Sequence, residues 1–503
     1  MFRLLLTLFL AIYVMLDMVQ AQDNLNRQIQ KYQNINWTDY RVATLRKKIS
    51  TKLYGNSISL ISIKKMNFLP RSSIYEQRGI WSRAGILWPD MIVLSSGRYD
   101  LQTLYKSLHN TKLIEKTAKN TYLIKRPIYI SPTASLLINK SIMRLSLTHG
   151  VYIIYHGNLD VLDSSIMSWN SKTNNFGPRQ HIEESKLLFY LEQNTRPYVL
   201  GLDGSFTRII NSEIVGLGYK GQVGSYGISL IKSNSEVRMG SFKRFLKKRN
   251  QPKGIFIGNN ISQCFYGFYT NNAKDVVLAG NILHDNVISN FDPHDYSTNL
   301  IIAKNVSYKA GHAHGIIISR EVNDSIIADN ITFLNAGSGL MLDRKSENNF
   351  IYSNLSFLNK GDGISIYESD RNILTENIMV QNHNNGLFVR NSSEVKANKN
   401  YFLQNGNNGA EVSVVNIDGL GVRNFTLDPY DKKSQALFEN NTFERNVNSA
   451  LSVKNGASFF FKGNTLQDSG PLYFSGEVED LTPEIILKND GEGFSYKPQN
   501  SHP

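Results

Sequence analysis

The chain is almost without cysteine. Cys264 is the only one in 503 residues, so no disulfide can form within the chain and its stability must come from packing and hydrogen bonding. Beyond its first residues it has no apolar run long enough to cross a bilayer, which excludes a protein of several membrane spans. Its histidines show no HExxH or other metal spacing, and there are no glycine-aspartate nonapeptides of the calcium-binding kind, so neither a dedicated metal nor a cofactor is expected. Gly216, Gly218 and Gly221 satisfy G-x-G-x-x-G but lie among short strand-like runs with no strand-helix-strand context, so a dinucleotide site is not read there. Acidic residues are short against basic ones, 42 against 55, which leaves a formal net charge of +13.

What is present begins with an export signal. Arg3 precedes an apolar run from Leu4 to Leu16, interrupted by Asp17, and Val19-Gln20-Ala21 supplies the small residues of a cleavage site. Cleavage after Ala21 is expected, rather than an uncleaved anchor, with no stable membrane insertion and a periplasmic destination that suits a chain with one thiol. Arg3 and Asp17 cancel, so the mature chain keeps the whole +13. Such a charge concentrates polyanions. Nucleic acid, a membrane surface and an acidic polysaccharide all qualify, and export disfavours the first; plain solubility is the alternative use of the lysines.

A repeat sets the fold. Asn281, Asn305, Asn330, Asn354, Asn377 and Asn400 fall at steps of 24, 25, 24, 23 and 23. A second ruler is the residue that opens a short strand: Gly315, Gly339, Gly363, Gly386 and Gly409, extending back to Asn290 and Gly267. Asn290 fits that series if the position requires positive φ, which Asn tolerates best after Gly. The runs between are rich in Val, Ile and Phe, of strand length, and without helical spacing. Several short strands per turn of about 23 residues read as an all-β, right-handed parallel β-helix; a leucine-rich repeat lacks its leucines here, and propeller blades are longer. The expected division is a signal at 1–21, an N-terminal cap at 22–85, the solenoid at 86–475 and a C-terminal tail at 476–503. Loops protrude near 169–187 and 408–435, and an insertion carries the basic run Lys243, Arg244, Lys247, Lys248, Arg249 and Lys253.

Register turns this sequence into geometry. Counting from each opening residue, the fourth and fifth positions onward are His294 and Asp295, then Ser319 and Arg320, Asp343 and Arg344, Tyr367 and Glu368, Arg390 and Asn391. Stacked coils would place them in one polar stripe. A solvated strand face would more simply carry Lys, Thr and Ser. Asp292-Pro293-His294-Asp295 sets a proline within a strand, where it removes a ladder hydrogen bond, either for function or as a bulge.

Asp292-Pro293-His294-Asp295, followed by HGIIISREVNDS from His314 to Ser325, resembles the signature stretch of the periplasmic mannuronan C5-epimerases of alginate biosynthesis. The likeness is clear from about Tyr226 to Asn400 and fainter from about residue 130 to 470. The resemblance implies that His294 is the base and that Arg320 neutralises the uronate carboxylate. It also implies mannuronan or alginate as partner, with other proteins of an export complex, and conversion of mannuronate to guluronate within the polymer. One departure stands out: the family commonly has Tyr-Gly where this chain has Ser289-Asn290. Water, or His314 from the next coil, would then have to supply the second proton.

The chemistry asks for such residues. Removing the proton α to a carboxylate builds a second negative charge, which the planar fork of Arg320 would stabilise. A neutral imidazole is a competent base, and Asp292 or Asp295 would orient it and stabilise the imidazolium. Asp343, Arg344, Tyr367, Glu368 and Arg390 would line subsites for neighbouring sugars, unless they are merely a solvated face. A polyuronate lyase shares the proton abstraction, and a non-catalytic alginate-binding scaffold shares the charge; spacing alone separates neither from an epimerase.

Overall fold

The computed structural model describes residues 26–66, 77–83, 85–176, 195–232, 250–418, 424–426 and 428–498. The signal at 1–21, Lys243 to Arg249 of the basic run and most of the loop at 169–187 lie outside the described residues. The rest is a right-handed parallel β-helix. Each regular coil has three strands: Phe268–Asn271, Val276–Ala279 and Ile282–His284 make one, and Phe291–His294, Ile301–Ala303 and Val306–Tyr308 the next. Each strand pairs in parallel with its counterpart one coil on.

The inside is a continuous apolar stack. Phe268, Phe291, Ile316, Leu340, Ile364, Leu387 and Ala410, each the first residue after an opening position, all lie buried in one cluster. Alternation within a strand then sends the second and fourth residues outward, which is why a four-residue strand can show two side chains to a ligand.

The asparagine ruler is a hydrogen-bonded ladder. Asn330 Oδ1 accepts from both the backbone N–H and the Nδ2 of Asn305, Asn354 Oδ1 does the same for Asn330, and Asn377 for Asn354. Each Nδ2 also reaches a backbone carbonyl, as Asn354 does to Ile327. A parallel ladder through Asn335, Asn359, Asn382 and Asn405 repeats this at a second corner. These bonds satisfy the corner amides where no sheet can.

The glycine ruler has a different cause from the one expected. Neither Gly339 nor Asn290 has positive φ. A Cβ on Gly339 would stand 2.0 Å from Ser356 Oγ and 2.4 Å from Thr332 Oγ1, so the space, not the backbone angle, demands glycine. Asn290 is admitted because its side chain joins the corner network: it accepts from Asn286 Nδ2 at 2.8 Å and donates to Ser307 Oγ at 3.0 Å.

Both solenoid ends are closed by antiparallel strands, Tyr54–Ser62 against Asp90–Asp100 and Phe494–Tyr496 against Ser458–Lys462. The helix Leu101–Leu108 adds Leu101, Leu104 and Leu108 to the core. The helix Thr482–Asn489 ends on Asn489, whose Oδ1 continues the asparagine ladder by accepting from the N–H of Asn464. The stretch assigned to an N-terminal cap therefore has two jobs. Its strand Tyr54–Ser62 sits at the end. Residues 26–49 run along the flank, with Tyr32 packed on Ala328 and Phe350, and Leu45 and Ile49 on Leu137, Leu162 and Ile210. Tyr32 OH donates to Asp329 at 2.6 Å, and Lys304 lies 4.4 Å from the Trp37 ring centre. Apolar outward positions on these coils need cover, and this strap gives it. Among the described residues no helix is long and apolar enough to cross a membrane.

Candidate active site

The expected register holds. His294 pairs with Ser319, Ser319 with Asp343, Asp343 with Tyr367 and Tyr367 with Arg390, so these form one outward ladder. The following residues, Asp295, Arg320, Arg344, Glu368 and Asn391, stack beside it, and each has left-handed φ between 36° and 62°. Left-handed residues recur at the other corners too, as in the column Lys304, Asp329, Ser353, Glu376 and Lys399, so the conformation belongs to the coil and the site is marked by its side chains.

Pro293 interrupts pairing without shifting it. The strand Phe291–His294 pairs at all four positions with the coil before, but only at Phe291 and His294 with the coil after. The missing N–H explains the gap. There is no bulge, so Asp292 and His294 keep their outward positions.

Four of the expected residues converge here. Asp295 Oδ2 is 3.0 Å from His294 Nδ1, an ion-pair contact in which the ring N–H points off the line to the oxygen. Asp295 Oδ1 is 3.2 Å from Arg320 Nη1, one coil on. Burial presses the His294 pKa down, but contact with Asp295 and the charges of Asp292 and Asp295 outweigh it, with Arg320 opposing, so the imidazole is a stronger base than usual. The same contacts, against burial, hold Asp295 below the usual carboxylate range. Asp292 is buried, one of its oxygens has no hydrogen-bond partner, and burial pushes it up to about 7, with His294 opposing and Asp295 and Asp343 assisting. The arrangement is an imidazole between two carboxylates, with a half-exposed guanidinium beside it.

The remaining expected residues are placed more diversely. Arg344 pairs with Asp343 at 3.3 Å and keeps 31% of its side chain exposed. Burial raises Asp343, although Arg344 opposes. Arg390 is committed within the protein: Nη2 donates to the buried Glu368 at 3.0 Å, and its guanidinium lies 3.7 Å from the Tyr367 ring centre. Tyr367, Glu368 and Arg390 thus form a packed unit more than a row of free contacts. Ser289 and His314 occupy equivalent places one coil apart, just before their strands. Ser289 is buried, and its carbonyl accepts from Gly267 N–H. His314 Nδ1 accepts from Ser338 N–H at 3.0 Å, which places the proton on Nε2, and burial pulls its pKa down to about 4.

Sequence reading overlooked the coil before His294. Asn271 and Tyr269 stand directly beside His294 and Asp292 in the pairing. The count of four from Gly267 reaches Asn271, and Tyr269 is two positions before it on the same strand face.

Residues 314–479 match the family described as right handed beta helix region. Mannuronan C5-epimerase AlgG of Azotobacter vinelandii is 32% identical over 403 residues, 79% of this chain and 73% of that protein. Mannuronan C5-epimerase of Pseudomonas putida is 33% identical over 255 residues, which is 50% of this chain and 45% of its relative. The crystal structure of the periplasmic alginate epimerase AlgG superposes with a TM-score of 0.76 at 27% identity, covering 88% of this chain and 98% of that one.

Proposed function

Because the chain belongs to the mannuronan C5-epimerases, we propose that it converts β-D-mannuronate to α-L-guluronate within alginate, with His294 as base and Arg320 as the holder of the reacting carboxylate. The observation that carries this assignment of roles is the contact of one carboxylate, Asp295, with both His294 and Arg320.

Arg320 binds the uronate carboxylate and stabilises the enediolate as negative charge grows on it. Neutral His294 takes the C5 proton through Nε2, since Nδ1 faces Asp295. The imidazolium formed is stabilised by Asp295 and by ionised Asp292. A proton then returns to C5 from the opposite face. Water supplies it, because the serine hydroxyl at 289 is a poor acid and its residue is buried. The C4 oxygen stays bonded, and His294 releases its proton to solvent before the next turn. The polymer lies along the charged stripe, with Arg344 meeting a neighbouring uronate.

Export follows the cleaved signal expected at residues 1–21, and the relative solved as a periplasmic enzyme supports the same compartment. Work beside other proteins of alginate export remains part of this proposal. Incubation with mannuronan tests the reaction: guluronate signals in the proton NMR spectrum with chain length unchanged are expected. Unsaturated ends absorbing in the ultraviolet would make the protein a lyase, and binding without any change a scaffold.

A further inference from the structure

Two outward side chains of the coil before the base have no part in the chemistry above, yet both touch its residues. Asn271 pairs in the sheet with His294, and its Nδ2 donates to Asp295 Oδ2 at 2.8 Å. That is the same oxygen that faces His294 Nδ1. Tyr269 pairs with Asp292, and its ring stacks on the imidazole with centroids 5.8 Å apart and planes 26° from parallel. Tyr269 is itself wedged by Tyr226, edge-on at 4.9 Å, and by Tyr266 at 6.0 Å.

We propose that Asn271 and Tyr269 are positioning residues that clamp the base: Asn271 fixes which Asp295 oxygen meets the imidazole, and Tyr269 fixes the plane of the ring. This rests on His294 being the base.

The two oxygens of Asp295 have separate partners, Arg320 on Oδ1 and His294 on Oδ2. A carboxylate is symmetric, so nothing in Asp295 alone keeps them assigned. A neutral amide that donates to Oδ2 does so without adding charge beside the imidazole. The ring then has Nδ1 against a carboxylate and one face against a phenol ring, which leaves Nε2 to the substrate. Small misplacement of a catalytic group costs large factors in rate, so such a clamp has a kinetic effect out of proportion to its bonds. A phenol stacked on the base lies on the base's side of the sugar, whereas epimerisation returns its proton to the other side. Burial and the charges of Asp292 and Asp295 also raise the Tyr269 pKa, which weakens it as an acid.

The groups that face the imidazole are Asp292 and Asp295 from its own strand and turn, Arg320 from the coil after, and Tyr269 from the coil before. A charge placed at Asn271 would join them. The test uses the full chain with carbon-13-labelled histidine, following the His294 titration by NMR, assigned with His294→Gln, beside the pH dependence of kcat/KM. Asn271→Asp should raise the His294 pKa by about one unit and move the acid limb of activity up with it. Tyr269→Leu should lower kcat about tenfold or more with little change in KM, and Tyr269→Phe should rescue most of that loss.

An unmoved His294 titration in Asn271→Asp overturns the clamp. So does a Tyr269→Phe enzyme as inactive as His294→Gln, which would make the phenol a proton carrier. The titration needs no turnover. A wild-type protein that leaves mannuronan unchanged would therefore remove the base assignment while the clamp was still read, and an active wild type with unshifted variants would remove only the clamp.

Discussion

Asp295 and Arg320 sit on successive coils with Oδ1 and Nη1 3.2 Å apart, and Arg320 keeps 45% of its side chain exposed. The guanidinium is thus oriented by a protein carboxylate and still open to one from substrate. With His294 on the other oxygen, the three make a unit in which the proposed base and the proposed anion holder share a support. His294→Ala and Arg320→Ala should each abolish epimerisation while the β-sheet circular dichroism stays intact, because both side chains project from the outer face. Near-normal turnover in either purified variant would refute the site, and loss of the sheet signal would make that residue structural.

Asp292 should set part of the pH dependence of the proposed base. His294 is raised above its ordinary 6.5 partly by the Asp292 charge, so activity should be lost as pH falls through that raised value and the base takes a proton. Removing the charge with Asp292→Asn lowers the His294 pKa, and the acid limb should move to lower pH. Because burial pushes Asp292 up to about 7, the wild-type limb should depart from a single-proton curve, and Asp292→Asn should restore one. A limb that stays in place, or moves up, would contradict this reading of the charges.

Much of this was legible in the sequence because a solenoid makes period equal to position. The asparagine steps locate each corner, and counting from each opening residue puts His294 one coil from Arg320. The rest was hidden for physical reasons. Steric crowding by Ser356 and Thr332, not φ, demands glycine at Gly339, and crowding depends on neighbours one coil away. The flank strap could not be read because residues 26–49 have no period of their own and pack on apolar positions spread over many coils. Arg390 looked like any other stripe cation, since nothing local announces that it is stacked on Tyr367 and paired with Glu368.

That difference between arginines is testable. Arg344→Ala should weaken alginate binding and reduce its salt dependence while leaving the melting temperature almost unchanged, since exposed cations act through screened attraction. Arg390→Ala takes the ion-pair partner from a buried carboxylate and should destabilise the protein by roughly 3 kcal/mol. Equal effects of the two on the denaturation midpoint would contradict the assignment.

The asparagine ladder predicts a cost in stability without one in chemistry. Asn354→Ala removes the acceptor for Asn330 N–H and Nδ2, together with the donor to Ile327, all buried. Orphaned groups of this kind cost about 3 kcal/mol together. Chemical denaturation should show that loss, with activity per folded molecule unchanged.

Ser289→Ala should lower turnover no more than about threefold if water returns the proton, since a buried serine hydroxyl contributes little as an acid near neutrality. A loss equal to that of His294→Ala would make Ser289 the second proton-transfer group. Ser289→Tyr, which restores the residue common in the family, should accelerate turnover or alter its pH profile.

The most direct test of the central claim is epimerisation of mannuronan in deuterium oxide, read by NMR and by chain length together. Abstraction by His294 and return of a proton from water predict guluronate that carries deuterium at C5, in chains of undiminished length, and none of it with His294→Ala. Guluronate formed with protium at C5, shortened chains with unsaturated ends, or labelled product from His294→Ala would contradict it.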